Sequence, residues 1–155
     1  MANTSRPVSS PDAMRNDPAA RRPQILLAED TDEMRDVVAL RLRQKGYAVT
    51  ECRNGAELIA ELSGYLRSTP AETSTRHFDL IISDNRMPGV FGLSVVEGAA
   101  EYHNFPPTIL ITAFGDDATH EKARQYGVVA VLDKPFDMND LLDKVRETLA
   151  GAPSA

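Results

Sequence analysis

A single cysteine, Cys52, among 155 residues rules out an intrachain disulfide and fits a reducing compartment. At the end of an expected strand it reads as a small buried hydrophobe rather than a reactive thiol. No apolar run approaches the roughly 18 residues that a bilayer span needs. The amino terminus has no apolar segment of the kind that directs secretion. Basic residues are outnumbered: 17 Lys and Arg against 23 Asp and Glu give a formal net charge of −6. That balance disfavours direct nucleic-acid binding and an anionic membrane surface. No glycine-rich loop follows the first apolar run, which disfavours a nucleotide-binding enzyme. His77, His103 and His120 are scattered without metal-ligand spacing and read as surface or structural. The expected location is cytoplasmic.

What is present is enough for one domain with a sizeable core. Residues 1–23 are rich in Pro, Ser, Ala and Arg and have too little apolar surface to fold, so an amino-terminal arm without order is expected. From Gln24 to Ala150, short apolar runs alternate with helical patterns. The runs are Ile25-Leu26-Leu27-Ala28, Tyr47-Ala48-Val49-Thr50, Leu80-Ile81-Ile82, Thr108-Ile109-Leu110-Ile111-Thr112 and Val128-Val129-Ala130-Val131-Leu132. Helical spacing follows each, with Met34, Val37, Val38 and Leu42 as the first such face. Gly46 should stop that helix, Asn54-Gly55 should form a turn, and Asp137 should cap the last helix. Residues 68–76 read as a polar surface loop, and residues 151–155 as a short tail. Five apolar strands alternating with five helices imply an α/β protein with a parallel sheet covered on both faces.

In a parallel sheet all carboxyl ends lie on one edge. The residues at those ends are Glu29 and Asp30, then Asp84, then Thr112, then Asp133 and Lys134. Three carboxylates on one rim repel one another, and a hard divalent cation, Mg²⁺ above all, relieves that repulsion. A lysine and a hydroxyl beside them supply a point charge and a donor suited to a phosphoryl group. Asp84, released by a buried strand just before Met87-Pro88-Gly89, is the candidate nucleophile.

These pieces in this order, namely Glu29-Asp30, Asp84 with Met87-Pro88-Gly89, Thr112-Ala113 and Lys134-Pro135-Phe136, resemble the receiver domain of two-component response regulators. Asn54-Gly55 and Gly92-Leu93 are similar to the family as well. The resemblance covers residues 24–150 and points to a single-domain, chemotaxis-type receiver. It implies a flavodoxin-like (βα)5 three-layer sandwich with strand order 2-1-3-4-5. It further implies that Asp84 accepts a phosphoryl group from a sensor histidine kinase or a histidine phosphotransfer protein. Glu29, Asp30, Asp84 and the backbone carbonyl of Arg86 would hold Mg²⁺. Thr112 and Lys134 would bind the phosphoryl oxygens, small Ala113 would leave access to them, and Lys134-Pro135 would be a cis peptide. The protein would not be an enzyme beyond promoting its own phosphorylation and dephosphorylation. It would act on an output protein whose identity the sequence does not give, or relay the phosphate.

Three departures from the family pattern stand out. Val131 occupies the position three before Lys134 where an aromatic is usual, which leaves the output readout open. Arg86 and Phe114 are bulky at the positions that flank the phosphoryl group, and are expected to obstruct the attacking water and lengthen the phosphorylated lifetime. The stretch from Gly55 to Asp84 is about ten residues longer than usual, an insertion that a surface loop tolerates at small entropic cost. Two rivals remain. One is a receiver-fold interaction module that works without phosphorylation. The other is an aspartate-nucleophile phosphatase, which would need a second aspartate where this chain has Arg86.

Overall fold

The computed structural model of the chain describes residues 21–67, 77–87, 90–98, 105–113 and 117–151. The expectations for most of the amino-terminal arm, the 68–76 loop, Pro88-Gly89, His103, Phe114 and the tail after Gly151 fall outside them.

Strands β1 (Gln24–Ala28), β2 (Ala48–Cys52), β3 (Leu80–Asp84), β6 (Thr108–Thr112) and β7 (Ala130–Asp133) form one sheet, ordered β2-β1-β3-β6-β7. All four pairings are parallel. Counting the five sheet strands alone, this is the order 2-1-3-4-5 of the flavodoxin-like fold. The helices are α1 (Asp32–Gln44), α2 (Gly55–Arg67), α3 (Gly92–Gly98), α4 (Asp117–Gln125) and α5 (Met138–Gly151).

Alternate residues of each strand point to opposite faces, and the core divides accordingly. Ile25, Leu27, Leu80, Ile82, Ile109 and Ile111 pack with Val38, Ala39 and Leu42 of α1 and with Leu141, Leu142 and Val145 of α5. Leu26, Ala28 and Ile81 pack on the other face with Leu58 and Leu62 of α2, and Val95 of α3 leans on the same cluster. Two helix layers thus enclose the sheet. β3 and β6 are buried along their whole length, as a strand covered on both faces must be.

Several local expectations shift. Asn54-Gly55 is a helix start rather than a free turn: Asn54 Oδ1 accepts from the Glu57 N–H at 2.9 Å, and α2 begins at Gly55. The second strand starts at Ala48, with Tyr47 outside it. The last strand starts at Ala130, two residues later than the apolar run suggests. A two-residue hairpin, β4 (Arg86–Met87) with β5 (Val90–Phe91), follows Asp84; residues this few carry no readable periodicity. Gly46 and Gly127 both adopt positive φ, +94° and +81°, and each stops a helix where a side chain would be strained. Asp137 Oδ1 accepts from the Asn139 N–H at 2.7 Å and caps α5.

The rim away from the strand carboxyl ends is tied off by Asp79. Its Oδ2 accepts from the Gln24 N–H at 2.8 Å, and its Oδ1 lies 2.7 Å from His77 Nε2. His77 therefore has a structural position, as expected. No helix among the described residues is long and apolar enough to cross a membrane.

Candidate functional site

At the carboxyl rim, β1, β3, β6 and β7 deliver their terminal groups together. Asp84 is the last residue of the middle strand and only 4% exposed; Glu29, one residue past β1, is 1% exposed. Oxygens of Glu29, Asp30 and Asp84 all lie within 4.8 Å of one another. Lys134, just past β7, sets Nζ 3.0 Å from Asp84 Oδ2 and 3.3 and 3.4 Å from the Glu29 carboxylate oxygens. Thr112 ends β6 and is buried, and its carbonyl accepts from the Lys134 N–H at 2.7 Å. The Lys134–Pro135 peptide is cis. Glu29, Asp30, Asp84, Thr112 and Lys134 thus reach the same rim. Asp30 differs from the other two acids in being exposed.

Backbone contacts fix these groups. Asp84 Oδ1 accepts from the Arg86 N–H at 3.1 Å. Asn85 donates its N–H to the Ile111 carbonyl at 2.7 Å and accepts from the Gly92 N–H at 2.9 Å. The start of α3 is therefore drawn against the end of β3. A Cβ on Gly92 would stand 2.9 Å from the Asp84 carbonyl oxygen and 3.0 Å from Ser83 Oγ, so the approach needs glycine.

Electrostatics follow from the crowding. Burial, and next the Asp84 charge, push the Glu29 carboxyl above its ordinary value, although the Thr31 N–H and Lys134 pull the other way. Burial works against the Lys134 ammonium, but its hydrogen bond to Asp84 and the charges of Asp84 and Glu29 outweigh that and raise it. The site holds more negative charge than one lysine balances. Its donors are all oxygens, and one carboxylate is disfavoured in its ionised form; such a set fits a hard divalent cation of the Mg²⁺ type. Cys52, by contrast, is inert: burial pushes its thiol up to about 12.

The sequence reading missed Arg35. It lies on α1 with its side chain 9% exposed and donates from Nη1 to the Glu29 carbonyl at 2.9 Å. The signal was available: Arg35 precedes Val38 by three and Leu42 by seven, on the stripe that faces the core. Asp133, at the end of β7, meets His120 of α4, with Nε2···Oδ1 3.1 Å. Val131 is half-buried beside Leu110.

Comparison with known proteins bears on the family and the fold. A family model described as the response regulator receiver domain matches residues 25–146. The DNA-binding transcriptional regulator NtrC of Escherichia coli K12 is 29% identical over 126 residues, covering 81% of this chain and 24% of that protein. The chain therefore spans about a quarter of NtrC's length. The response regulator receiver protein CpdR of Brucella abortus is 30% identical over 129 residues, covering 83% of this chain and 98% of that protein. Among solved structures, the chemotaxis response regulator CheY4 of Vibrio cholerae superposes with a TM-score of 0.68 at 25% identity, covering 83% of this chain and 99% of that one. The HemR receiver domain of Leptospira biflexa reaches 0.70 at 22% identity, covering 83% and 95%, and bears on the fold alone. The chain belongs to the response regulator receiver-domain family, whose members are signalling domains controlled by phosphorylation.

Proposed function

We propose that residues 24–150 form a receiver unit that takes a phosphoryl group onto Asp84 from a phosphohistidine of a sensor kinase or phosphotransfer protein, with residues 1–23 as an arm and 151–155 as a tail. One observation carries this reading. Asp84 ends the middle strand, buried, with two further carboxylates within 4.8 Å and a lysine ammonium at 3.0 Å.

In the transfer, an Asp84 oxygen forms a bond to phosphorus as the phosphorus–nitrogen bond breaks, and the imidazole nitrogen keeps the bonding pair. Glu29, Asp30, Asp84 and the Arg86 carbonyl would hold Mg²⁺, which supplies charge neutralisation for the incoming phosphoryl oxygens. Lys134 already bonds Asp84 and moves its donor to those oxygens. Thr112, at the neighbouring strand end, donates its hydroxyl to them. The added charge alters the rim, and the His120–Asp133 contact gives α4 a direct link to the strand end beside Lys134. The signal then passes to a separate output protein or onward to another phosphoacceptor.

The test is incubation with Mg²⁺ and acetyl phosphate, read by intact mass. One added phosphoryl group is expected, and none in Asp84→Asn. Labelling that survives Asp84→Asn refutes the assignment. An unlabelled parent favours an interaction module that works without phosphorylation, and sustained phosphoester turnover favours a phosphatase.

A further inference from the structure

We infer that Arg35 is a positioning residue for the metal-holding acids: its guanidinium clamps the peptide that joins Glu29 to Asp30 and so sets the directions in which their two carboxylates leave the chain. The inference rests on the metal role proposed for those acids.

The Glu29 carbonyl belongs to the peptide unit shared by Glu29 and Asp30. The torsions on either side of that unit set the angle between the two side chains as they leave the backbone. Three contacts bear on Glu29 at this point. Its N–H donates to the Cys52 carbonyl at 3.1 Å, its Oε1 accepts from the Thr31 N–H at 3.2 Å, and its carbonyl accepts from Arg35 Nη1 at 2.9 Å. The Thr31 bond spans the Glu29–Asp30 peptide from the side chain, and the Arg35 bond adds a direct hold on that peptide's own carbonyl.

Arg35 is itself held by all three of its nitrogens. Nη2 donates to Asp32 Oδ1 at 2.6 Å, and Nε lies 3.6 Å from Glu51 Oε1 on β2. Glu51 is braced in turn by Arg43, whose Nη2 donates to it at 3.1 Å. The charges of Asp32, Glu51 and Asp36 all favour the Arg35 cation. Arg35→Met removes that charge as well as the fork, whereas Arg35→Lys keeps the charge and isolates the geometry. A planar fork that meets three partners from a buried position is a task for arginine, and a lysine cannot reproduce it. Outer contacts of this kind typically change metal affinity by about 10–100-fold when removed.

The experiment measures binding of Mn²⁺, as a probe for Mg²⁺, by electron paramagnetic resonance in the parent, Arg35→Met, Arg35→Lys and Asp30→Asn. Thermal melts in metal-free buffer establish that each is folded at the assay temperature. Arg35→Met is expected to bind about tenfold more weakly than the parent. Arg35→Lys, which keeps the cation and provides the test if the methionine variant does not fold, is expected to fall with it. A purely structural arginine would lower the melting temperature and leave the folded protein's affinity in place, so parent-like affinity in either variant overturns the inference. If Asp30→Asn binds as the parent does, or the parent does not bind, the metal role itself fails, and the positioning role falls with it.

Discussion

Lys134 Nζ stands 3.0 Å from Asp84 Oδ2, a carboxylate fifty positions earlier in the chain, and spans the gap between the middle strand and the sheet edge. It also pairs with the Glu29 carboxylate, 3.3 Å away. Replacing it with methionine leaves two carboxylates, 6% and 2% exposed, without their counter-charge. Breaking a fully buried pair costs about 3–5 kcal/mol; since Lys134 is 22% exposed, a loss of about 2 kcal/mol is expected here. Urea denaturation in metal-free buffer reads it, and an unchanged midpoint would show that the lysine has no structural part.

Glu29 gives the opposite sign. Its carboxyl is raised by burial and by Asp84, so the folded protein holds that proton more tightly than the unfolded chain. The stability this contributes is present below the ordinary glutamate range and is lost as pH rises through the folded value. Once ionised, Glu29 is therefore a burden on the metal-free fold. Glu29→Gln is expected to flatten the decline as pH rises above the ordinary glutamate range and to remove much of the stabilisation that Mg²⁺ confers. Urea midpoints against pH, with and without Mg²⁺, test both; a variant whose curves overlay the parent's contradicts the account.

Gly92 is a steric prediction. An alanine there would press on the Asp84 carbonyl, on Ser83 Oγ and on Leu110 Cδ2 at 2.9, 3.0 and 3.1 Å. Overpacking of this kind costs about 1–3 kcal/mol, and relief requires α3 to retreat from β3. Gly92→Ala should lower the urea midpoint and slow labelling by acetyl phosphate. Parent-like values in both would mean that the helix start has room to move.

Arg86 bears on duration. Its N–H holds Asp84 Oδ1 at 3.1 Å, which the side chain does not affect. The side chain is exposed, two residues past Asp84. Arg86→Ala is expected to shorten the half-life of the phosphorylated form several-fold and leave the initial rate of labelling intact. Following the decay of the added mass over time decides the matter, and an equal or longer half-life counts against the obstruction.

The layered fold was legible because parallel strands need long apolar runs, and Leu80-Ile81-Ile82 or Ile109-Leu110-Ile111 admit few other readings. Site membership was legible for a topological reason: every strand end in a parallel sheet arrives at one rim, so Glu29, Asp84, Thr112 and Lys134 could be grouped without distances. Contacts that depend on side-chain reach were not legible. The stripe marks Arg35 as core-facing, but its partner emerges only once Nη1 is seen on the Glu29 carbonyl, and the glycine requirement at position 92 exists only once α3 meets β3. The Arg86–Met87 and Val90–Phe91 hairpin is too short for any period to emerge.

Glu29 and Lys134 are separated by 105 positions, and Lys134 follows the last strand of the sheet. During synthesis, which proceeds from the amino end, the three acids leave the ribosome well before Lys134, the cation that pairs with Glu29 and Asp84. A nascent chain therefore carries unbalanced carboxylates that resist being buried together. The rim closes only when β7 lies on β6, so competence to receive a signal depends on the last strand of the sheet.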